Sequence, residues 1–254
     1  MDFTLFVGTH HKTGTMWMFS IFQAFAERAG LSFLNFSEHC RNLSIAKERC
    51  DQLLFGYGLA FDGIILADHS EGFGTAAALL PKARRRMFHV VRDPRDIAIS
   101  AADYHVRSKE PWLHVPQTEF GGMTYHERIA SYPSLDDRVL FEIEHSSAAT
   151  VHEIRTLIGI PGIEIFKYED FMLEPETFRT LFDYCGFHKD YLQLFELAVN
   201  EHSFFGEAKA EASDHASDGR VEQWREKLSP ATLQAVETAF GDVIKRLGYP
   251  DSPT

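Results

Sequence analysis

Unbroken apolar runs, rather than alternating ones, mark the strands of this chain. Phe3–Val7 stops at Gly8, and Ile64–Leu66 and Met87–Val91 have the same continuous character. Such runs are buried on both faces, as in a parallel sheet covered by helices on either side. Between the first two runs the period changes. From Gly14 to Arg28 the positions Met16, Trp17, Phe19, Ile21, Phe22 and Phe25 lie on nearly every side of a helix, and Gly30 suits its C-terminal turn. Asp93-Pro94-Arg95-Asp96 opens another helix. Asp93 can accept from free N–H groups, Pro94 suits the first helical position, and Asp96 favours the positive end of the dipole. Glu164–Tyr168 reads as a strand and Pro175 to Cys185 as a helix closed by Gly186. The last helix opens at Ser229-Pro230 and ends at Gly248, with Pro250 beyond. Strands alternating with helices predict a single-domain α/β fold, a central parallel sheet flanked by helices. Lys109–Ser147 has room for helices of its own, and the polar run Gly206–Asp218 reads as a mobile loop.

Composition narrows the function classes. The chain has 254 residues, 44% hydrophobic and 24% charged, enough for a substantial core. Its net charge of −12 argues against a general binder of nucleic acid or anionic membrane, while leaving room for a local basic pocket. Cys40, Cys50 and Cys185 are too few for a disulfide framework and point to a reducing compartment. No run approaches the roughly 18 apolar residues of a membrane span, and residues 1–17 lack a basic signal-peptide region. A soluble, cytoplasmic protein is expected. His10-His11 are adjacent, which suits no metal pair, and no metal is expected. Lys82-Ala83-Arg84-Arg85-Arg86 reads as a solvated basic turn.

Two loops carry the chemistry. The first, Gly8-Thr-His-His-Lys12-Thr13-Gly14-Thr15-Met16-Trp17, joins the first strand to the first helix. A strand that turns into a helix this way presents backbone N–H groups and a positive dipole end to an anion. Lys12 adds a mobile charge, and Thr13 and Thr15 add hydroxyls. The spacing is not that of a Walker A loop: five residues separate Gly8 from Gly14, and the lysine precedes the second glycine. The second loop is Val90-Val91-Arg92-Asp93-Pro94-Arg95-Asp96-Ile97-Ala98-Ile99-Ser100. An arginine at the carboxyl end of a strand points into the ligand crevice of an open α/β sheet, and its fork of donors matches a phosphate. Ser100 lies about two helical turns on and can donate a hydroxyl.

Together these loops resemble the 5′-phosphosulfate and 3′-phosphate motifs of the PAPS-dependent sulfotransferases (PAPS is 3′-phosphoadenosine 5′-phosphosulfate). Tyr168-Glu169-Asp170 resembles a further family segment, and His202-Ser203-Phe204 and Gly219…Trp224-Arg225 resemble the late segment that covers the adenosine. The resemblance implies one sulfotransferase domain over 1–254, with a P-loop-like phosphosulfate site. It implies transfer of a sulfuryl group from PAPS to a hydroxyl or amine, leaving adenosine 3′,5′-bisphosphate (PAP). It assigns Lys12, Thr13, Gly14, Thr15, Met16, Trp17, Arg92, Ser100, Tyr168, Phe204, Gly219 and Arg220 to the nucleotide, with Trp17 and Phe204 flanking the adenine. Lys12 is also catalytic, meeting charge on the leaving oxygen. His69 is the expected base, with Asp68 its rival.

Four positions depart from the family pattern. Ser217-Asp218 replace a basic pair before Gly219, leaving Arg220 to substitute; Glu222 replaces a glycine; Ala67 replaces a lysine. These departures keep open a non-enzymatic nucleotide-binding or sensor protein of the same fold. Glu110–Tyr132, with Trp112, Phe120, Met123 and Tyr125, is the expected acceptor-facing segment. Its aromatic content favours a small acceptor.

Overall fold

The computed structural model describes residues 3–68, 72–202 and 220–252, apart from the side chains of 47, 48 and 51. The first elements are β1 (Thr4–Thr9), α1 (Thr15–Ala29), β2 (Phe33–Asn35), α2 (Phe36–Asn42), α3 (Lys47–Ala60), β3 (Gly63–Asp68) and α4 (Gly72–Leu79). Then follow β4 (Arg85–Val91), α5 (Pro94–His105), α6 (Tyr125–Ala130), α7 (Leu135–Glu142), α8 (Ser146–Leu157) and β5 (Glu164–Lys167). The chain ends with α9 (Tyr168–Leu173), α10 (Glu176–Cys185), α11 (Leu192–His202), α12 (Trp224–Lys227) and α13 (Pro230–Arg246). It divides into two compact units, one from the described residues of Met1–Val91 and Glu153–Glu211, the other from those of Arg92–His152 and Ala212–Thr254.

The first unit holds one sheet of order β2-β3-β1-β4-β5, parallel throughout. Every residue of β1 is buried, so the unbroken apolar run is what two covered faces require. Because β1 lies between β3 and β4, the strand order reverses beside it, which places the switch point of the sheet at the end of β1. Register brings Thr9 level with Asp68 and Gly8 level with His89. On one face, Phe22 and Phe25 of α1 pack against Phe195 of α11, with ring centroids 5.9 and 5.3 Å apart. On another, Phe6, Ile65, Phe73, Leu80 and Met87 share a core.

Two readings of the sequence need correction here. Tyr168 does not extend β5; it opens α9, whose preceding residue Lys167 is the last of the strand. The basic run at 82–86 is not wholly solvated. Arg85 is the first residue of β4 and only 6% exposed; its Nε donates to the Leu80 carbonyl (2.9 Å) and its Nη2 to that of Ala77. These are carbonyls at the C-terminal end of α4, where a cation offsets the negative end of the dipole.

The second unit is helical. In α5 every residue but Asp103 is buried, as befits a helix enclosed on all sides. Asp93 caps it, its Oδ1 accepting from Arg95 N (2.9 Å), and Pro94 follows as expected. Arg95 is fully buried. It pairs with Asp93 (2.7 Å) and Glu237 (3.3 Å), donates to Pro250 O (2.9 Å), and lies 3.8 Å from the centre of the Trp224 ring. The 109–147 segment contains short 3-10 turns, α6 and α7; Leu113, Tyr125, Ile129 and Phe141 form its own small core. Among the described residues no helix is long and apolar enough to cross a membrane.

Candidate functional site

The loop after β1 is tied to the backbone of one residue. His10 O accepts from Thr13 N (3.1 Å), Thr13 Oγ1 (3.0 Å) and Thr15 Oγ1 (3.0 Å), while His10 N donates to Thr13 Oγ1 (2.8 Å). Both threonine hydroxyls therefore hold the loop's own shape. Lys12 has φ 65° and Gly14 φ 101°, both in the left-handed region. No side chain caps α1, and no acidic residue stands in its first turn. The positive end of the helix is thus left for an anion. Met16 is exposed, Lys12 and Thr15 are half-buried and Thr13 is buried.

Tyr168 is brought to this loop. A Cβ built on Gly14 would stand 3.3 Å from the Tyr168 ring, a tight contact that adds to the glycine preference set by its left-handed backbone. Trp17 is buried, with ring centroids 5.7, 6.0 and 5.5 Å from those of Tyr168, Phe171 and Phe178. Asp68 ends β3 with a half-buried side chain, and its main chain is held by Ser37, whose Oγ accepts from Asp68 N (2.9 Å). Ala67 is fully buried in the same strand.

Sequence reasoning missed what lies beneath the loop. His10 Nδ1 is 3.1 Å from Glu153 Oε2 on α8, and His10 Nε2 is 3.2 Å from His89 Nδ1 on β4. Both imidazoles are fully buried and Glu153 is 6% exposed. Burial, aided by His10, pushes His89 well below the ordinary histidine range, with Glu153 opposing. The one sequence signal is Gly8, whose missing side chain gives the His89 ring its space. Thr9 Oγ1, at the end of β1, is also buried and has no hydrogen-bond partner among the described residues.

In the second unit, Arg92 is 2% exposed. Its Nη2 donates to Arg220 O (3.1 Å) and stands 3.9 Å from Asp96 Oδ2. Asp96 and Ser100 are one helical turn apart and share a face of α5. Among the described residues Ser100 Oγ and Asp96 Oδ2 are buried without a hydrogen-bond partner. An arginine and an orphaned hydroxyl in one helix-start motif match the donor needs of a phosphate. Burial pushes the Asp96 carboxyl up to about 6, against the opposing pull of Arg92. Arg220 thus reaches Arg92 through its carbonyl, while its own side chain is exposed near Glu226 (3.6 Å). Glu222 has φ 54°, a backbone position that favours the glycine of the family pattern.

In the segment expected from the sequence to face an acceptor, Tyr125 is committed to a buried network. Its hydroxyl donates to Glu142 Oε1 (2.9 Å), which is also 2.5 Å from His105 Nδ1; burial and Glu142 push the phenol upward. A cavity of about 640 Å³ lies beside it, lined by Glu119, Phe120, Arg128, Tyr132, Asp137, Leu140, Phe141, Glu144 and His145. His69, Phe204, Gly219 and the 206–218 loop lie outside the described residues.

No family model and no curated protein sequence matches this chain. Solved structures do. A mouse sulfotransferase complexed with PAP superposes with a TM-score of 0.60 at 12% identity, over 96% of this chain and 84% of that one. Retinol dehydratase in complex with androsterone and the inactive cofactor PAP gives 0.53 at 16% identity, over 98% and 82%. The same enzyme with retinol and PAP gives 0.53 at 14%, over 99% and 83%. The chain has the sulfotransferase fold. In the sequence that resemblance was carried by the segments 8–17 and 90–100, and the five-stranded parallel sheet with its flanking helices agrees with the fold.

Proposed function

We propose that this protein transfers a sulfuryl group from PAPS to a hydroxyl or amine of a small acceptor and releases PAP. The observation that carries the reading is the loop of residues 10–14: left-handed at Lys12 and Gly14, followed by an uncapped helix, in a chain with the sulfotransferase fold. The backbone N–H groups that open α1 and Lys12 bind the 5′-phosphosulfate; Thr13 and Thr15 hold the loop in shape through their hydroxyls, and Met16 neighbours it. Arg92 and Ser100 bind the 3′-phosphate; the buried, unpartnered Ser100 hydroxyl supports this. Trp17, Tyr168, Phe204, Gly219 and Arg220 surround the adenosine.

In the reaction a bond forms from the acceptor oxygen or nitrogen to sulfur as the bond from sulfur to the 5′-phosphate oxygen breaks. The acceptor proton passes to His69, with Asp68 as the competing base. Lys12 meets the charge that grows on the departing oxygen. Positioning and charge stabilisation are the main demands, as in phosphoryl transfer. Relatives of this fold were solved with androsterone and retinol, which supports a small, partly apolar acceptor.

A thermal-shift panel tests the nucleotide assignment. PAP should stabilise the protein with or without magnesium, and ATP and GTP should not match it. A magnesium-dependent preference for ATP or GTP would overturn the reading.

A further inference from the structure

We propose that His10 is the positioning residue of the phosphosulfate loop, held from below by Glu153 and His89; this rests on the PAPS reading of that loop. Its main chain and side chain do different work. The main chain gathers the loop: one carbonyl accepts three hydrogen bonds from Thr13 and Thr15, and one N–H returns to Thr13. The ring is anchored on two sides, by a carboxylate on α8 and an imidazole on β4. Movement of the ring would therefore displace the atom on which both threonines depend.

The hydrogen-bond partners assign the protons. A neutral His10 carrying its proton on Nδ1 donates to Glu153 and leaves Nε2 to accept from His89 Nδ1–H. His89 Nε2 is then a bare lone pair, and it is the ring atom that has no hydrogen-bond partner among the described residues. Were His10 an imidazolium, His89 would have to accept at Nδ1 and carry its proton on Nε2, a buried donor with no acceptor. An orphaned donor is the costlier defect. Burial disfavours the charged form of His89, which is neutral in either arrangement, so the choice rests on the hydrogen-bond partners. Phe73 closes over the His89 ring, centroids 4.1 Å apart, and Gly8 lies beneath it, so the anchor cannot slide.

A chain of this kind acts on the 5′ end of the nucleotide alone, because the 3′-phosphate is assigned to Arg92 and Ser100. The test compares affinities for PAP and for adenosine 3′-monophosphate, measured by titration calorimetry with competition for the weaker ligand. His10→Ala should weaken PAP about tenfold or more, the scale of lost buried hydrogen bonds, and leave the 3′-monophosphate within about twofold. Glu153→Gln retains an acceptor for His10 Nδ1–H and should keep PAP within about threefold of wild type. His10→Asn, which keeps the donor toward Glu153 but loses His89, should fall between them and serves if His10→Ala does not fold. Equal losses for both ligands, or unchanged PAP affinity in His10→Ala and His10→Asn, would overturn the proposal. Failure of the wild-type protein to bind PAP would instead overturn the PAPS reading itself.

Discussion

Gly8 and His89 face each other on adjacent parallel strands so closely that a Cβ on residue 8 would lie 2.2 Å from the imidazole. The ring occupies the space a side chain would need, and Phe73 stands 4.1 Å away on its own account. Gly8→Ala should therefore destabilise the protein by about 2–3 kcal/mol, the upper range for overpacking a tight core. Chemical denaturation measures this. The double variant Gly8→Ala/His89→Ser should recover part of the loss; no recovery would mean that the glycine is needed for another reason.

Arg85 gives a second stability prediction. It is buried, and Leu80 and Ala77 carbonyls depend on its guanidinium. Arg85→Met fills much of the volume but leaves those carbonyls unpaired, and should cost about 2 kcal/mol or more. Arg85→Lys should rescue little, because one ammonium lacks the planar fork. Melting temperatures of the two variants check this; a fully stable Arg85→Lys contradicts it.

Asp96 makes stability depend on pH. Burial, opposed by Arg92, raises its carboxyl to about 6, above the unfolded value of about 3.9. The folded state therefore holds this proton more tightly than the unfolded one. The contribution is complete below about pH 4 and is lost as pH rises through 6. Asp96→Asn keeps an acceptor for Trp224 N–H, 3.1 Å away, and should flatten that slope by about 2 kcal/mol between pH 4 and 8. Denaturation midpoints across this range decide it, and an unchanged slope would refute the assignment.

Lys12→Ala and Arg92→Ala should fail differently. Lys12 acts on charge that grows during the reaction, so its loss should lower kcat. Arg92 binds a phosphate present throughout, so its loss should weaken the nucleotide. Steady-state kinetics separate them; equal losses confined to KM would contradict this division.

The elements that carry the two motifs were the most legible in the sequence. The unbroken run of β1, the Gly30 turn that closes α1, and the Asp93-Pro94 start of α5 each carry a local physical signature. By contrast β2 has three residues, and α3 interrupts its apolar positions with Gly56 and Gly58, so neither has a clear period. Arg85 read as solvated because nothing in its neighbours reveals that α4 ends against it. The histidine pair was invisible for another reason: residues 10, 89 and 153 meet only through strand register and the return of α8. Tyr168 lay one residue beyond its strand, and its place beside Gly14 follows from the start of α9, which the strand pattern did not reveal.

The central claim is sulfuryl transfer, and radiolabelled PAPS tests it most directly. The protein is incubated with the label and with a panel of phenols, alcohols and amines together with a small-molecule cell extract, beside Lys12→Ala. Label should appear in at least one small acceptor with an equal amount of PAP, at a rate at least about a hundredfold lower in the variant, as expected for loss of a transition-state contact. Label that stays in PAPS with every acceptor, although PAP binds, would contradict it and leave a nucleotide-binding protein without turnover.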